Sequence, residues 1–301
     1  MRKQFTVSAS DHGSRLDQFL TGQFRGEFSR SYLQHLIDEG KVLINQNKVK
    51  RHGRVRQGDR VELELEDRQR PWLAPETIPL DILYEDEDVL LVNKPAGMVV
   101  HPACGNYSGT LVHALLAHSP NFSQFGDSAR PGIVHRLDKE TSGVLVIAKN
   151  PFAHQALAKQ FLERTVTKKY LAIVRGSVAQ EEGMIEFPIG RHPFHRQKMS
   201  VTFGRTRSRS AQTRYKVLQR FAQATLLQVE PTTGRTHQIR VHLSSIGHPI
   251  LGDDTYGGTD ISVPRMVLHA SSLKFAHPRT KQIMEVKAEL PKDLKEVISK
   301  L

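Results

Sequence analysis

The stretch PGIVHRLDKETSGVLVIAK, residues 131–149, changes character at its centre. A polar segment carrying Asp138 gives way to residues 144–148, an unbroken apolar run of the length of a buried strand. Gly143 is expected to mark the turn between the two. A carboxylate at the mouth of such a strand is positioned by the sheet while its head group faces a cleft. Arg136 and Lys139 stand beside it; cations there favour the ionised form and can hold phosphates. A buried strand needs neighbours, and similar apolar runs recur at VLLVN (89–93), YLAIV (170–174) and TLLQVE (225–230). Between them HQALAKQFLER (154–164) has helical spacing at Leu157, Phe161 and Leu162. Residues 82–301 therefore read as one mixed domain on a twisted, largely antiparallel sheet.

Toward the N-terminus the pattern is different. Apolar Leu16, Phe19 and Leu20 stand at i, i+3, i+4, as do Leu33, Leu36 and Ile37, which predicts two short helices. Ser29 is the expected N-cap of the second and Gly40 its stop. In KVLINQNKVKRHGRVRQGDRVELELE, Val42 and Ile44, then Val61, Leu63 and Leu65, alternate with polar groups as half-buried strands do. Seven Lys or Arg and one acid, Asp59, lie between Lys41 and Arg60, so a basic hairpin is expected beside the helices. Residues 67–81, DRQRPWLAPETIPLD, lack either periodicity and read as a linker. The chain as a whole is thus α+β, with a small domain at 13–66, a linker at 67–81 and a larger domain at 82–301.

Composition narrows the partners. A formal net charge of +12 on 301 residues points to a polyanion, because clustered Lys and Arg displace counterions from phosphates. Residues 1–66 hold 12 basic and 9 acidic side chains, so +9 of the charge belongs to the remainder. Residues 191–220 carry nine Lys or Arg and no acid, an exclusion that a solvated face, with its mixed charges, does not show. Cys104 is the single cysteine, which rules out an internal disulfide and a cysteine-based zinc cluster. Residues 1–10 have no apolar signal-peptide core, and no run approaches the roughly 18 apolar residues of a membrane span. The expected address is the cytoplasm, without membrane contact.

The string HRLDKETSG (135–143) resembles the central motif of the RluA-type family of RNA pseudouridine synthases. The resemblance extends to ILYEDEDVLLVNKPAGMVVHP (82–102), KKYLAIVRG (168–176) and TGRTHQIRVHLSSIGHPILGDDTYGG (233–258), four motifs in the family's order. In front of them, SRLDQFL (14–20), SRSYLQHLIDEGKVLIN (29–45) and GDRVEL (58–63) resemble the S-four-type RNA-binding domain, a combination similar to the D-like subgroup that modifies large-subunit ribosomal RNA.

This resemblance implies an isomerase that needs neither cofactor nor metal and acts on structured RNA, ribosomal RNA or an assembling large subunit; a monomer is the expected state. It implies that Asp138 attacks the target uridine, at ribose carbon 1′ or base carbon 6. Tyr170 would lie against the base and take or relay the carbon 5 proton, and Arg240 would pair with the carboxylate. Arg136 would fill the space vacated by the flipped uridine, and Arg235 and His237 would line the RNA channel. In the N-terminal domain, Arg30, Tyr32, Lys48, Lys50 and Arg51 are the implied RNA contacts.

Three other readings compete. A metal-dependent hydrolase could use His237, His242 and His248, but spacings of five and six do not put two ligands on one helical face. A glycosidase could use Asp138 with Glu140, but it calls for an acidic, aromatic-lined cleft, and Trp72, the single Trp, lies in the linker. A non-catalytic RNA-binding assembly factor would share the charge and the N-terminal domain, yet has no use for Asp138, Tyr170 and Arg240 together.

Overall fold

The computed structural model describes residues 2–24, 30–50, 52–65, 74–102, 106–119, 122, 131–195, 198–202, 208–257 and 263–301. The N-terminal unit comprises β1 (Arg2–Thr6), α1 (Leu16–Gln23), α2 (Arg30–Asp38), β2 (Val42–Ile44), β3 (Asn47–Lys48) and β4 (Arg60–Glu64). Its antiparallel sheet runs β1-β4-β2-β3. The six apolar helix residues expected from spacing are all buried, against Val42, Val61 and Leu63 of the sheet. Asn45 and Gln46, both at positive φ (50° and 69°), make the two-residue turn between β2 and β3 that Asn tolerates well. The basic segment from there to β4 is a long return rather than one hairpin arm. Strand β1 carries no sequence signal because it is an edge strand that only half-buries Phe5. Ser29, the expected N-cap, lies outside the described residues.

The larger unit contains β5 (Ile82–Glu85), β6 (Val89–Lys94), α3 (Leu111–His118), β7 (Ser142–Ala148), α4 (Pro151–Glu163), β8 (Thr167–Arg175), β9 (Glu182–Ile185), β10 (Ile189–Arg191) and β11 (Met199–Val201). It continues with β12 (Thr213–Arg220), β13 (Ala224–Pro231), α5 (Gln238–Ser245), β14 (Leu268–Ala276), β15 (Ile283–Lys287) and α6 (Lys292–Lys300). One sheet runs β5-β6-β7-β14-β8-β13-β12-β9, with β15 pairing on β14, while β10 and β11 form a separate hairpin. Every pairing in the large sheet is antiparallel except β7 with β14. That parallel crossing explains Gly143, which lies inside β7 and not in the turn before it. At φ 114° it lets β14 approach so closely that a Cβ would stand 2.2 Å from the Ala270 carbonyl oxygen.

The apolar strands expected at 89–93, 144–148, 170–174 and 225–230 are β6, β7, β8 and β13, and β7 is buried along its whole length. Helix α4 starts at Pro151, behind an Asn150 cap whose side chain accepts the Ala153 N–H. Residues 74–81, the second half of the stretch read as a linker, lack regular structure but are bound to the larger unit. Leu80 packs on its core, Glu76 accepts the Gly109 N–H and donates its own N–H to the His113 carbonyl, and Asp81 pairs with Asn93.

Candidate active site

The turn that presents Asp138 is stapled from below. Leu137 is buried in the core, the Asp138 carbonyl accepts the Thr141 N–H, and the Lys139 carbonyl accepts the Gly97 N–H. Lys94, fully buried at the end of β6, donates its Nζ to the carbonyls of Pro95 (2.7 Å), Met98 (2.8 Å) and Lys139 (3.2 Å). Three carbonyls suit an ammonium, although burial pushes its pKa down to about 7 against the opposing charges of Glu140 and Asp138. On the strand side, His135 stacks on Phe161 with ring centroids 4.5 Å apart and accepts the Val146 N–H on Nε2. Burial pushes its pKa down to about 3, helped by nearby Lys168, so it is neutral.

Asp138, its side chain 20% exposed, faces α5. That helix opens at His237, a non-glycine residue at φ 55° and ψ 22°. The turn before it is locked by Gln238, whose amide oxygen accepts the Thr233 hydroxyl and the Arg235 N–H and whose nitrogen donates to Gln212 O and Thr213 Oγ1. From the first turn of α5, Arg240 Nη1 approaches Asp138 Oδ2 at 3.4 Å. Its Nε and Nη2 are held at 2.8 and 2.9 Å by both oxygens of Asp253, a buried carboxylate. Hydrogen bonds and attraction to Asp253, with Asp138 adding to them, raise the Arg240 pKa over the desolvation that opposes it. The arginine is thus aimed with its charge intact.

Tyr170 projects from β8 into the same space. Burial first, and then the charge of Asp138, push its phenol well above its ordinary range, so it stays a neutral hydroxyl. Asp138, Tyr170, Arg240, Arg136, Arg235 and His237 all line one cleft of about 390 Å³. Arg136 is exposed at its mouth. Arg235 is lowered in pKa by burial and by repulsion from Arg209 and Arg164, a group of cations crowded on one wall. Lys168, two residues before Tyr170, joins them; burial and Arg164 bring it down to about 8. Such a wall fits a polyanion.

The remaining sequence-derived positions fall elsewhere. Lys48 and Lys50 are exposed in the N-terminal unit. Arg30 and Tyr32 belong to α2, but their side chains lie outside the described residues, as does all of Arg51. The three histidines of the metal reading are separately engaged. His237 meets Tyr256, His242 meets Thr213 and the Phe187 carbonyl, and His248 meets the Arg175 carbonyl. Sequence reasoning missed Asp253, Lys168, His135 and Lys94, although GDDTYGG, KKY, HRLD and NKPAG had all been singled out as motifs. An acidic partner thirteen residues beyond the arginine it holds has no local periodicity to announce it.

A cleft with one aimed carboxylate, a neutral tyrosine and a cationic wall is suited to acting on RNA, and the class of enzyme, an RNA-modifying isomerase, follows from the family it matches. The RNA pseudouridylate synthase family matches residues 88–245, and the chain belongs to that family. It is 43% identical over 297 residues to the uncharacterised RNA pseudouridine synthase YlyB of Bacillus subtilis (strain 168), covering 98% of this chain and 97% of that one. It is also 43% identical over 303 residues to the ribosomal large subunit pseudouridine synthase D of Nitrosomonas europaea, covering 97% and 85%. Among solved structures, the human RNA pseudouridylate synthase domain containing 1 superposes with a TM-score of 0.60 at 32% identity, over 72% of this chain and 85% of that one.

Proposed function

We propose that this enzyme isomerises uridines of large-subunit ribosomal RNA to pseudouridine, with Asp138 as the catalytic carboxylate, Tyr170 against the base and Arg240 as partner of the carboxylate. The observation that carries this is the convergence of those three side chains in one cleft whose wall is cationic. In the reaction the bond from ribose carbon 1′ to nitrogen 1 breaks, a bond from carbon 1′ to carbon 5 forms, and a proton moves from carbon 5 to nitrogen 1. Nothing is gained or lost, so the chain need supply only a carboxylate that attacks and is regenerated, a proton path, and a pocket in which the base turns. Attack at carbon 1′ or at carbon 6 makes the same demand on Asp138, an ionised oxygen fixed by its neighbours. Tyr170, held as a neutral hydroxyl, suits a relay that receives one proton as it passes on another.

A stacked uridine cannot reach the cleft, so it must flip, at a cost of a few kcal/mol. Arg136 at the mouth is placed to offset that cost by filling the gap, while Arg235 and His237 follow the strand inward. The unit at 13–66, with Lys48 and Lys50 exposed, is read as an RNA anchor, Arg30, Tyr32 and Arg51 being further contacts. Among the described residues no helix is long and apolar enough to cross a membrane. A monomer working in the cytoplasm is the setting proposed.

The test pairs genetics with chemistry. Pseudouridine mapping of ribosomal and transfer RNA from cells lacking the protein should show particular large-subunit positions reverting to uridine. Asp138→Asn, almost isosteric, should keep RNA affinity and form no product on the same RNA. Turnover by that variant would remove Asp138 from its role, and an unchanged map would remove the substrate.

A further inference from the structure

Tyr256 has no part in the chemistry above, yet it touches three of the groups that surround Asp138. Asp253 Oδ1, which receives Arg240 Nη2, also accepts the backbone N–H groups of Thr255 (3.0 Å) and Tyr256 (3.2 Å). The carboxylate that aims the arginine therefore also fixes the turn that carries the tyrosine. The Arg240 guanidinium lies over the Tyr256 ring, 5.0 Å from its centroid. The hydroxyl meets two nitrogens, each at 2.9 Å: the backbone amide of Met199 in β11 and Nδ1 of His237.

These two contacts are not equivalent. An amide N–H only donates, so Met199 uses the phenol oxygen as an acceptor. The hydroxyl's own proton then has Nδ1 within reach as an acceptor, and in that arrangement Nδ1 is bare and the ring proton sits on Nε2. Nε2 stands 4.0 Å from Asp138 Oδ2. In the opposite tautomer it would turn a lone pair toward the reacting carboxylate. Asp138, Asp253, Arg240 and Arg136 are the charged groups that face this imidazole; burial, helped by the two arginines and opposed by the two carboxylates, holds its pKa below the ordinary value.

We propose that Tyr256 is a positioning residue for the reaction, its hydroxyl setting the tautomer of His237 so that the imidazole turns Nε2–H toward Asp138. The inference rests on Asp138 being the catalytic carboxylate. It is tested in the full-length protein labelled with 15N-histidine, by long-range proton–nitrogen spectra near neutral pH, with the His237 signals assigned by their loss in His237→Gln. Wild type should show His237 protonated on Nε2. Tyr256→Phe, which keeps the ring under Arg240, should redistribute the proton toward Nδ1. Its single-turnover rate should fall about 3- to 10-fold, the range carried by one neutral hydrogen bond, with RNA affinity unchanged. A wild-type His237 protonated on Nδ1 overturns the proposal. So does a Phe variant that keeps the wild-type tautomer, whatever its rate, or one that loses it and keeps the full rate. A wild type that forms no pseudouridine is a separate result, which removes the reading of Asp138 itself.

Discussion

Arg240 divides its guanidinium between two carboxylates, with two nitrogens on buried Asp253 and the third toward Asp138. The division separates aiming from chemistry, since Asp253 fixes the fork and leaves one N–H for the reacting group. Arg240→Met should therefore do two things. It should lower activity, because the reacting carboxylate loses the cation aimed at it. It should also destabilise the fold by about 3–5 kcal/mol, the cost of leaving one member of a buried pair behind. Single-turnover rates and a urea titration read the two separately, and an unchanged rate would reduce Arg240 to an RNA or structural contact. His135 makes the complementary case. Its folded-state pKa of about 3 lies below the ordinary 6.5, so unfolded chains bind a proton between those values that folded chains refuse. The stability this residue supports is complete above pH 6.5 and is lost as pH falls toward 3. His135→Gln, which keeps an acceptor for the Val146 N–H, should flatten the acid loss of stability by about 1.4 kcal/mol per pH unit within that window. Denaturant midpoints at several pH values between 4 and 6.5 would show it, and parallel curves for the two proteins would contradict it.

At the scale of elements, the site depends on the crossing of β7 and β14, because β7 carries the Asp138 turn and β14 lies between it and β8, which carries Tyr170. Gly143→Ala tests that dependence. The added methyl would meet Ala270 at 2.2 Å and would sit at φ 114°, so strands must part, at a cost of about 3 kcal/mol. The expected result is a lowered thermal midpoint together with loss of turnover, and a variant as stable as wild type would show that the crossing yields. This glycine also marks the limit of what the sequence made legible. Period and run length found the buried strands β6, β7, β8 and β13 and the helices α1, α2 and α4, because burial of one face leaves its pattern in the chain. The same logic was blind to β1, which buries almost nothing, and it placed Gly143 in a turn because tight approach and tight turning favour the same residue. The reacting side chains were legible through their motifs, whereas Asp253 and Tyr256 act through α5 and the loop after it. Their partners are set by tertiary geometry, which local spacing does not encode.

At the scale of the molecule, the two largest apolar cores share no residue, one built on α1, α2, β2 and β4 of the N-terminal unit and the other on the large sheet. Asp138, Tyr170, Arg240 and Asp253 lie wholly in the larger unit. Removing the N-terminal unit should therefore leave a folded catalytic unit, provided the cut respects what residues 74–81 do. Glu76 binds the start of α3, and Asp81 ties the edge of β6, so a chain beginning at Thr77 would give up the Glu76 contacts, whereas one beginning at Ala74 retains them. The shortened enzyme should bind its RNA more weakly, since the basic segment between Lys41 and Arg60 is gone. If those side chains contact phosphates, the slope of log affinity against log salt should become shallower by about 0.7–0.9 for each contact removed. Turnover at saturating RNA should change much less than affinity, because no group that lines the cleft has been lost. Binding measured across a salt series, with single-turnover rates on the same RNA, separates these effects. A shortened chain with the full-length affinity and salt slope would show that the N-terminal unit does not anchor RNA, and its exposed lysines would then call for a protein partner.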